Sequence, residues 1–79
     1  MLNSKVYIDV TARFSPEGRI TPLSIIWEDG RKYKVDKILD IRRAASLKAG
    51  GTGLRFNVKI GRQETFIYLD DGRWWAERK

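Results

Sequence analysis

The chain contains no cysteine and no histidine. The first absence removes any disulfide framework and any thiolate nucleophile. The second, added to it, excludes a Ser-His-Asp triad and a zinc site built from His or Cys. General acid–base work would fall to carboxylates, Lys or Tyr. Asp36 and Asp40 are spaced for one face of a helix, but in a strand they stand roughly 13 Å apart. Asp29, Asp70 and Asp71 fall in turn signatures, where hydrogen bonding to the local backbone is their ordinary task. No apolar run approaches the ~18 residues of a membrane helix. The opening Met1-Leu2-Asn3-Ser4-Lys5 has no apolar signal core. Together these absences read as a cytoplasmic, non-enzymatic protein with no cofactor, no metal and no membrane span.

What is present fits one small folded unit. Seventy-nine residues make a single domain, 1–79, and 42% of them are hydrophobic. A chain of this size buries only roughly 60% of the surface it would expose unfolded, so a shallow surface site is expected rather than a deep pocket. Sixteen Lys and Arg against ten Asp and Glu leave a net charge of +6. That balance favours polyanions, with nucleic acid first and an anionic membrane surface second. The plain alternative is a basic solvent face with no partner.

Gly-Arg recurs at 18–19, 30–31, 61–62 and 72–73, each time between apolar, β-branched or aromatic runs. This is how hairpin turns read, and the spacing predicts a meander of short strands. The strands expected are Lys5–Phe14, Ile20–Trp27, Arg31–Ile41, Leu54–Ile60, Gln63–Leu69 and Arg73–Glu77. In the first, Val6, Ile8, Val10, Ala12 and Phe14 alternate with polar partners as in a half-buried strand. The segment after Asp36 is ambiguous: Asp36 could cap a helix over Lys37–Ala49 closed by Gly50-Gly51. Continued alternation through Leu39 and Ile41 favours a bent strand to about Arg43, then an irregular or short helical piece to Gly53, with a short helix near 42–49 left open. The fold class expected is all-β, a small antiparallel meander of about six strands curled into a partly closed SH3-like barrel.

A two-residue loop at Gly61-Arg62 fixes a register that sorts residues by polarity. One face pairs Leu54 with Leu69, Phe56 with Ile67, and Val58 with Thr65. The other pairs Arg55 with Tyr68, Asn57 with Phe66, and Lys59 with Glu64. A two-residue turn at Asp71-Gly72 then puts Trp74 opposite Leu69 in the core and Trp75 opposite Tyr68 on the outer face. A three-residue turn would swap the two tryptophans. The two-residue turn is preferred because it sets Asp70 against Arg73 as a charge pair.

Trp27-Glu28-Asp29-Gly30-Arg31-Lys32-Tyr33-Lys34-Val35, then Ile38-Leu39-Asp40 and Asp71-Gly72-Arg73-Trp74-Trp75, resembles a family of small uncharacterised bacterial all-β domains. The likeness covers roughly Ile20 to Glu77, and Arg42–Gly53 departs from the family pattern. The resemblance implies no established activity. Some similar domains accompany translesion DNA polymerases, which implies a DNA-linked role by association.

The best functional constellation is the outer face: Arg55, Asn57, Lys59, Phe66, Tyr68 and Trp75. Single-strand binders combine aromatic platforms for stacking with cations for the phosphate backbone. If another segment packs on that face, the same aromatics are a second small core. Ala49-Gly50-Gly51-Thr52-Gly53 lacks the ending of a phosphate loop and reads as a flexible connection. Its neighbours Arg42, Arg43 and Lys48 nevertheless suit it to touch phosphate. The function expected is therefore a nucleic-acid-binding accessory protein, for DNA or RNA. The alternative is a protein–protein interaction module or a homodimer, using a strand edge or the same aromatic face.

Overall fold

Alternating apolar and polar residues broken by Gly-Arg turns have one economical outcome, antiparallel hairpins. The computed structural model describes residues 5–45 and 52–77, and these contain strands and turns but no helix. The strands are β1 (Lys5–Tyr7), β2 (Asp9–Phe14), β3 (Ile20–Ile26), β4 (Lys32–Lys34), β5 (Lys37–Ala45), β6 (Thr52–Ile60), β7 (Gln63–Asp70) and β8 (Arg73–Glu77). They form two antiparallel sheets, one of five strands in the order β1-β8-β7-β6-β5 and one of three in the order β2-β3-β4.

The chain passes between the sheets at two corners. Ile8 separates β1 from β2, and Val35-Asp36 separates β4 from β5. Backbone bonds continue the pairing through both corners. Ile8 N–H donates to the Trp74 carbonyl at 3.1 Å, Val35 N–H to that of Leu23 at 2.9 Å, and Asp36 N–H to that of Lys59 at 2.9 Å. The Asp36 side chain also reaches across the fold, its Oδ2 accepting from the Gly61 amide at 2.6 Å. The residue that could have capped a helix instead caps a hairpin 25 residues further along the chain. Its carboxylate supplies the acceptor that the turn N–H requires.

The core lies between the sheets. Phe56, Val58 and Ile67 are fully buried, and Val6, Ile8, Ile25, Val35 and Ala76 close around them. Trp74 packs on this cluster with its ring 5.2 Å from that of Phe56. Leu54 pairs with Leu69, Phe56 with Ile67, and Val58 with Thr65, as the Gly61-Arg62 turn requires. Asp71 and Gly72 both take positive φ, 54° and 76°, which is the conformation of a two-residue type I′ hairpin. Asp70 therefore pairs with Arg73, Leu69 with Trp74, and Tyr68 with Trp75, so Trp74 is the inward tryptophan.

Three expectations need correction. The strand expected over Arg31–Ile41 changes sheet at Val35-Asp36 and continues to Ala45, with a bulge at Leu39 between Ile38 and Asp40. Of the helix left open near 42–49, Arg42 to Ala45 belong to β5, because they pair with Arg55 to Thr52, and 46–49 lie outside the described residues. Phe14, in phase with the core residues by alternation, is 65% exposed. It ends β2 beyond a register shift at Thr11/Ala12, beside the Ser15–Arg19 turn.

Phe56→Ala should cost about 3–5 kcal/mol, the usual toll for emptying a fully buried aromatic site. That is a large share of a small domain's stability, so thermal unfolding should move to much lower temperature or lose its cooperativity. Asp36→Ala should cost about 1.5 kcal/mol, the low end for a hydrogen bond to a charged group, because the site is exposed. Hydrogen exchange at the Gly61 amide should quicken while amides of the core strands stay protected. An unchanged rate at Gly61 would mean that the bond is not made.

Candidate nucleic-acid interface

Register decides what shares the outer face of the five-stranded sheet. Tyr7 pairs with Trp75, Trp75 with Tyr68, Tyr68 with Arg55, and Arg55 with Arg42. These residues form one row across every strand of the sheet, aromatic on β1, β8 and β7 and cationic on β6 and β5. The row itself carries no carboxylate. In the flanking rows Lys59 faces Glu64, Asp70 faces Arg73, Lys5 faces Glu77, and Asp40 faces Asn57.

The side chains interlock along the row. The Tyr68 and Trp75 rings are stacked, 4.0 Å apart and 8° from parallel. Rings on adjacent strands that stack this closely stand upright from the sheet, because strand spacing is itself about 4.8 Å. Lys5 Nζ lies 4.4 Å from the Trp75 ring, Arg73 lies 3.8 Å from Tyr7, and Arg55 lies 4.7 Å from Phe66. Each is a cation–π contact in which stem and ring pack together. Arg42 is tied to Asp40 by its Nε at 2.7 Å.

The expected site residues separate as follows. Arg55, Asn57, Lys59, Phe66, Tyr68, Trp75 and Arg42 share the outer face. Arg43 pairs with Leu54 and so belongs to the opposite face, because neighbouring residues of a strand alternate. Lys48 and the glycine-rich stretch up to Gly51 lie outside the described residues. Tyr7 and Lys5 join the face without having been expected there. They arrive through the β1–β8 pairing, which links distant parts of the chain and leaves no local trace in sequence. Arg73 stands on the same face through the Asp71-Gly72 turn, opposite Asp70 and two residues from Trp75.

Exposure assigns different tasks to the aromatics. Tyr7 is 48% and Phe66 41% exposed, whereas Tyr68 and Trp75 are half-buried. Trp75 was expected to offer a stacking platform, but Tyr68 and Lys5 already lie against its ring. Its Nε1 and the Asn57 Oδ1 are buried without a hydrogen-bond partner among the described residues. Such orphaned atoms cost roughly 1–3 kcal/mol each, so packing and not hydrogen bonding holds Trp75 in place.

The Tyr68 phenol donates to Glu77 Oε1 at 3.4 Å. Burial, reinforced by the Glu77 carboxylate, pushes its pKa above the ordinary value, while Arg55 pulls it down. No protein-family model matches the chain, and neither curated proteins nor solved structures include a match. The resemblance drawn from the Trp27–Val35, Ile38–Asp40 and Asp71–Trp75 segments therefore rests on those residues alone.

Folding favours the protonated phenol of Tyr68. The stability this contributes is fully present below about pH 10, the value for an unfolded tyrosine, and is lost as pH rises through the raised folded value. Alkaline unfolding followed by circular dichroism should be shallower in Tyr68→Phe than in the native chain. Identical pH profiles for the two would mean that the phenol is solvated as in the unfolded chain.

Proposed function

We propose that the outer face of the five-stranded sheet binds single-stranded nucleic acid and that the protein is a non-enzymatic accessory domain. The observation that carries the reading is the carboxylate-free row Tyr7–Trp75–Tyr68–Arg55–Arg42, crossing the whole sheet. Bases would stack on Tyr7 and Phe66, the two aromatics of the face that remain exposed. Arg55 and Lys59 on β6 would take successive phosphates, and Arg42 would exchange its Asp40 contact for another. The upright Tyr68–Trp75 pair is support between the two platforms rather than a platform itself. Stacking with backbone neutralisation tolerates any base sequence, as an accessory role requires. The resemblance to domains that accompany translesion polymerases leans the same way.

We also read the two sheets as a partly closed SH3-like barrel. The corners at Ile8 and Val35-Asp36 make β1 with β2, and β4 with β5, single bent strands, leaving six strands around the core. The backbone bonds at the corners support this reading. A second function, pairing with a protein or with another copy, is favoured by one observation. β5 is an edge strand on which Leu39 and Ile41 are 38% and 43% exposed. Such edges template further strands unless they are blunted.

The test is fluorescence anisotropy with short DNA and RNA oligomers across a salt series. Tyr7→Ala and Phe66→Ala should each weaken binding by about 1–3 kcal/mol with little change in unfolding temperature. Arg55→Ala should reduce the salt slope by about 0.7, one phosphate on a single strand. No binding at low salt would end the nucleic-acid reading. Binding that ignores Tyr7 and Phe66, but falls equally for every cation removed, would reduce it to bulk charge. Dimerisation abolished by Ile41→Lys would then give the strand-edge reading the lead.

A further inference from the structure

Of the strands that end a sheet, β5 has the edge best suited to further pairing. β1 and β4 are three residues each, and β2 is interrupted at its midpoint by the register shift between Thr11 and Ala12. β5 runs nine residues, Lys37–Ala45, and among the described residues no strand lies beyond it. Natural edges of this length are blunted by proline or by like charges. β5 has no proline, and past its bulge at Leu39 it reads Asp40-Ile41-Arg42, opposite charges on either side of an apolar residue.

The β6–β7 hairpin determines which backbone groups of β5 are free. Residues flanking a two-residue turn bond to each other, so Ile60 and Gln63 direct their amides and carbonyls between β6 and β7. Alternate residues of β6 do the same. Asn57 and Arg55 therefore turn theirs towards β5, where Asp40 and Arg42 meet them. The Lys59 carbonyl, which accepts from the Asp36 amide, has the same phase. The amides and carbonyls of Ile41 and Arg43 are left pointing off the edge. The Ile41 side chain lies on the core side of the sheet, opposite Phe56, yet stays 43% exposed.

We propose that the partner in the strand-edge reading, on which this rests, is a second copy: β5 pairs antiparallel with its β5 about a two-fold axis through Ile41. An axis perpendicular to the sheet sets each residue opposite one on the same face, so the centre must be a single residue. Any such centre matches free backbone groups with free ones. Ile41 is the middle of the nine, so only this centre overlaps the whole strand. It also sets Asp40 opposite Arg42 of the second copy, and Arg42 opposite its Asp40, on either side of an Ile41–Ile41 contact. The 2.7 Å Arg42–Asp40 contact within each strand closes these pairs into a ring of four alternating charges. A centre one residue earlier would put Asp40 against Asp40, and one residue later Arg42 against Arg42. Joined at Ile41, two five-stranded sheets become one of ten, with both outer faces on the same side.

The test is sedimentation equilibrium of the full chain without nucleic acid, since Arg42 also belongs to the outer-face row. The native chain should dimerise reversibly. Exchange of the Ile41 amide should slow as concentration rises, while that of Arg42, already bonded within the sheet, stays constant. Asp40→Arg and Arg42→Asp should each weaken dimerisation ~10-fold, because like charges then stand opposite each other twice. Mixed in equal amounts, the two variants should recover a heterodimer of native affinity, which also shows that both are folded. A dimer that ignores both substitutions, a mixture that stays monomeric, or an Ile41 amide indifferent to concentration would overturn the proposal. If Ile41→Lys dissociates a dimer that the charge variants do not, the edge still pairs but not in this register. A native chain that is monomeric throughout would overturn the proposal as well, leaving the strand edge to a different protein and oligonucleotide binding to be judged by itself.

Discussion

The antiparallel pairing of β6 with β7 is the constraint on which the rest of the structure depends. Gly61 takes φ of 61°, at the first position of a two-residue turn, and its ladder runs from Ile60–Gln63 to Leu54–Leu69 without a break. A slip of one residue would carry Phe56, Val58 and Ile67 to solvent and bring Arg55, Asn57 and Tyr68 into the core. The cost would be that of exposing the three most deeply buried of these side chains while burying a charge. No other arrangement of the hairpin competes with that difference. Once it is set, β8 is placed against β7 by a second tight turn, and the outer row is in line for three strands before the N-terminus joins.

The two sheets are joined at two corners of the chain rather than by any single contact. Ile8 and Val35 are both buried, and each sits where the chain leaves one sheet for the other. A corner residue facing the core from between two sheets binds those sheets together, while its backbone continues the ladder. The Asp36–Gly61 bond pins the second corner to the β6–β7 turn. The same geometry leaves a cleft of about 350 Å³ lined from both sheets, by Ile25, Trp27 and Tyr33 on one side and Ile60 and Thr65 on the other.

What was legible in the sequence follows sequence separation. The β6–β7 register and the identity of the inward tryptophan are decided by two-residue turns, so Gly61-Arg62 and Asp71-Gly72 carried the information locally. The β1–β8 pairing is between distant parts of the chain, and no turn chemistry announces it. Tyr7 and Lys5 therefore could not be assembled with Tyr68 and Trp75 beforehand. Asp36 shows a different limit. A capping residue before an Ala-, Leu- and Lys-rich run is a valid helix signal, yet tertiary pairing of β5 with β6 overrode the propensity. Phe14 shows a third, since alternation gives the face a residue points to but not whether another layer covers it.

The separation of charge over so small a molecule is itself a consequence of the sheet. On the outer face, Glu64, Asp70 and Glu77 stand opposite Lys59, Arg73 and Lys5 in the flanking rows, leaving the central row aromatic and basic. Glu77 is held on that face by the Tyr68 hydroxyl, which donates to its Oε1. A domain of this size has no core to spare for a deep pocket. What it offers a ligand is the face of a sheet, because alternation turns polar and aromatic residues outward and apolar ones inward on the same strands. Substitutions on the outer face can then leave the core in place, provided the β6–β7 ladder that positions both is kept.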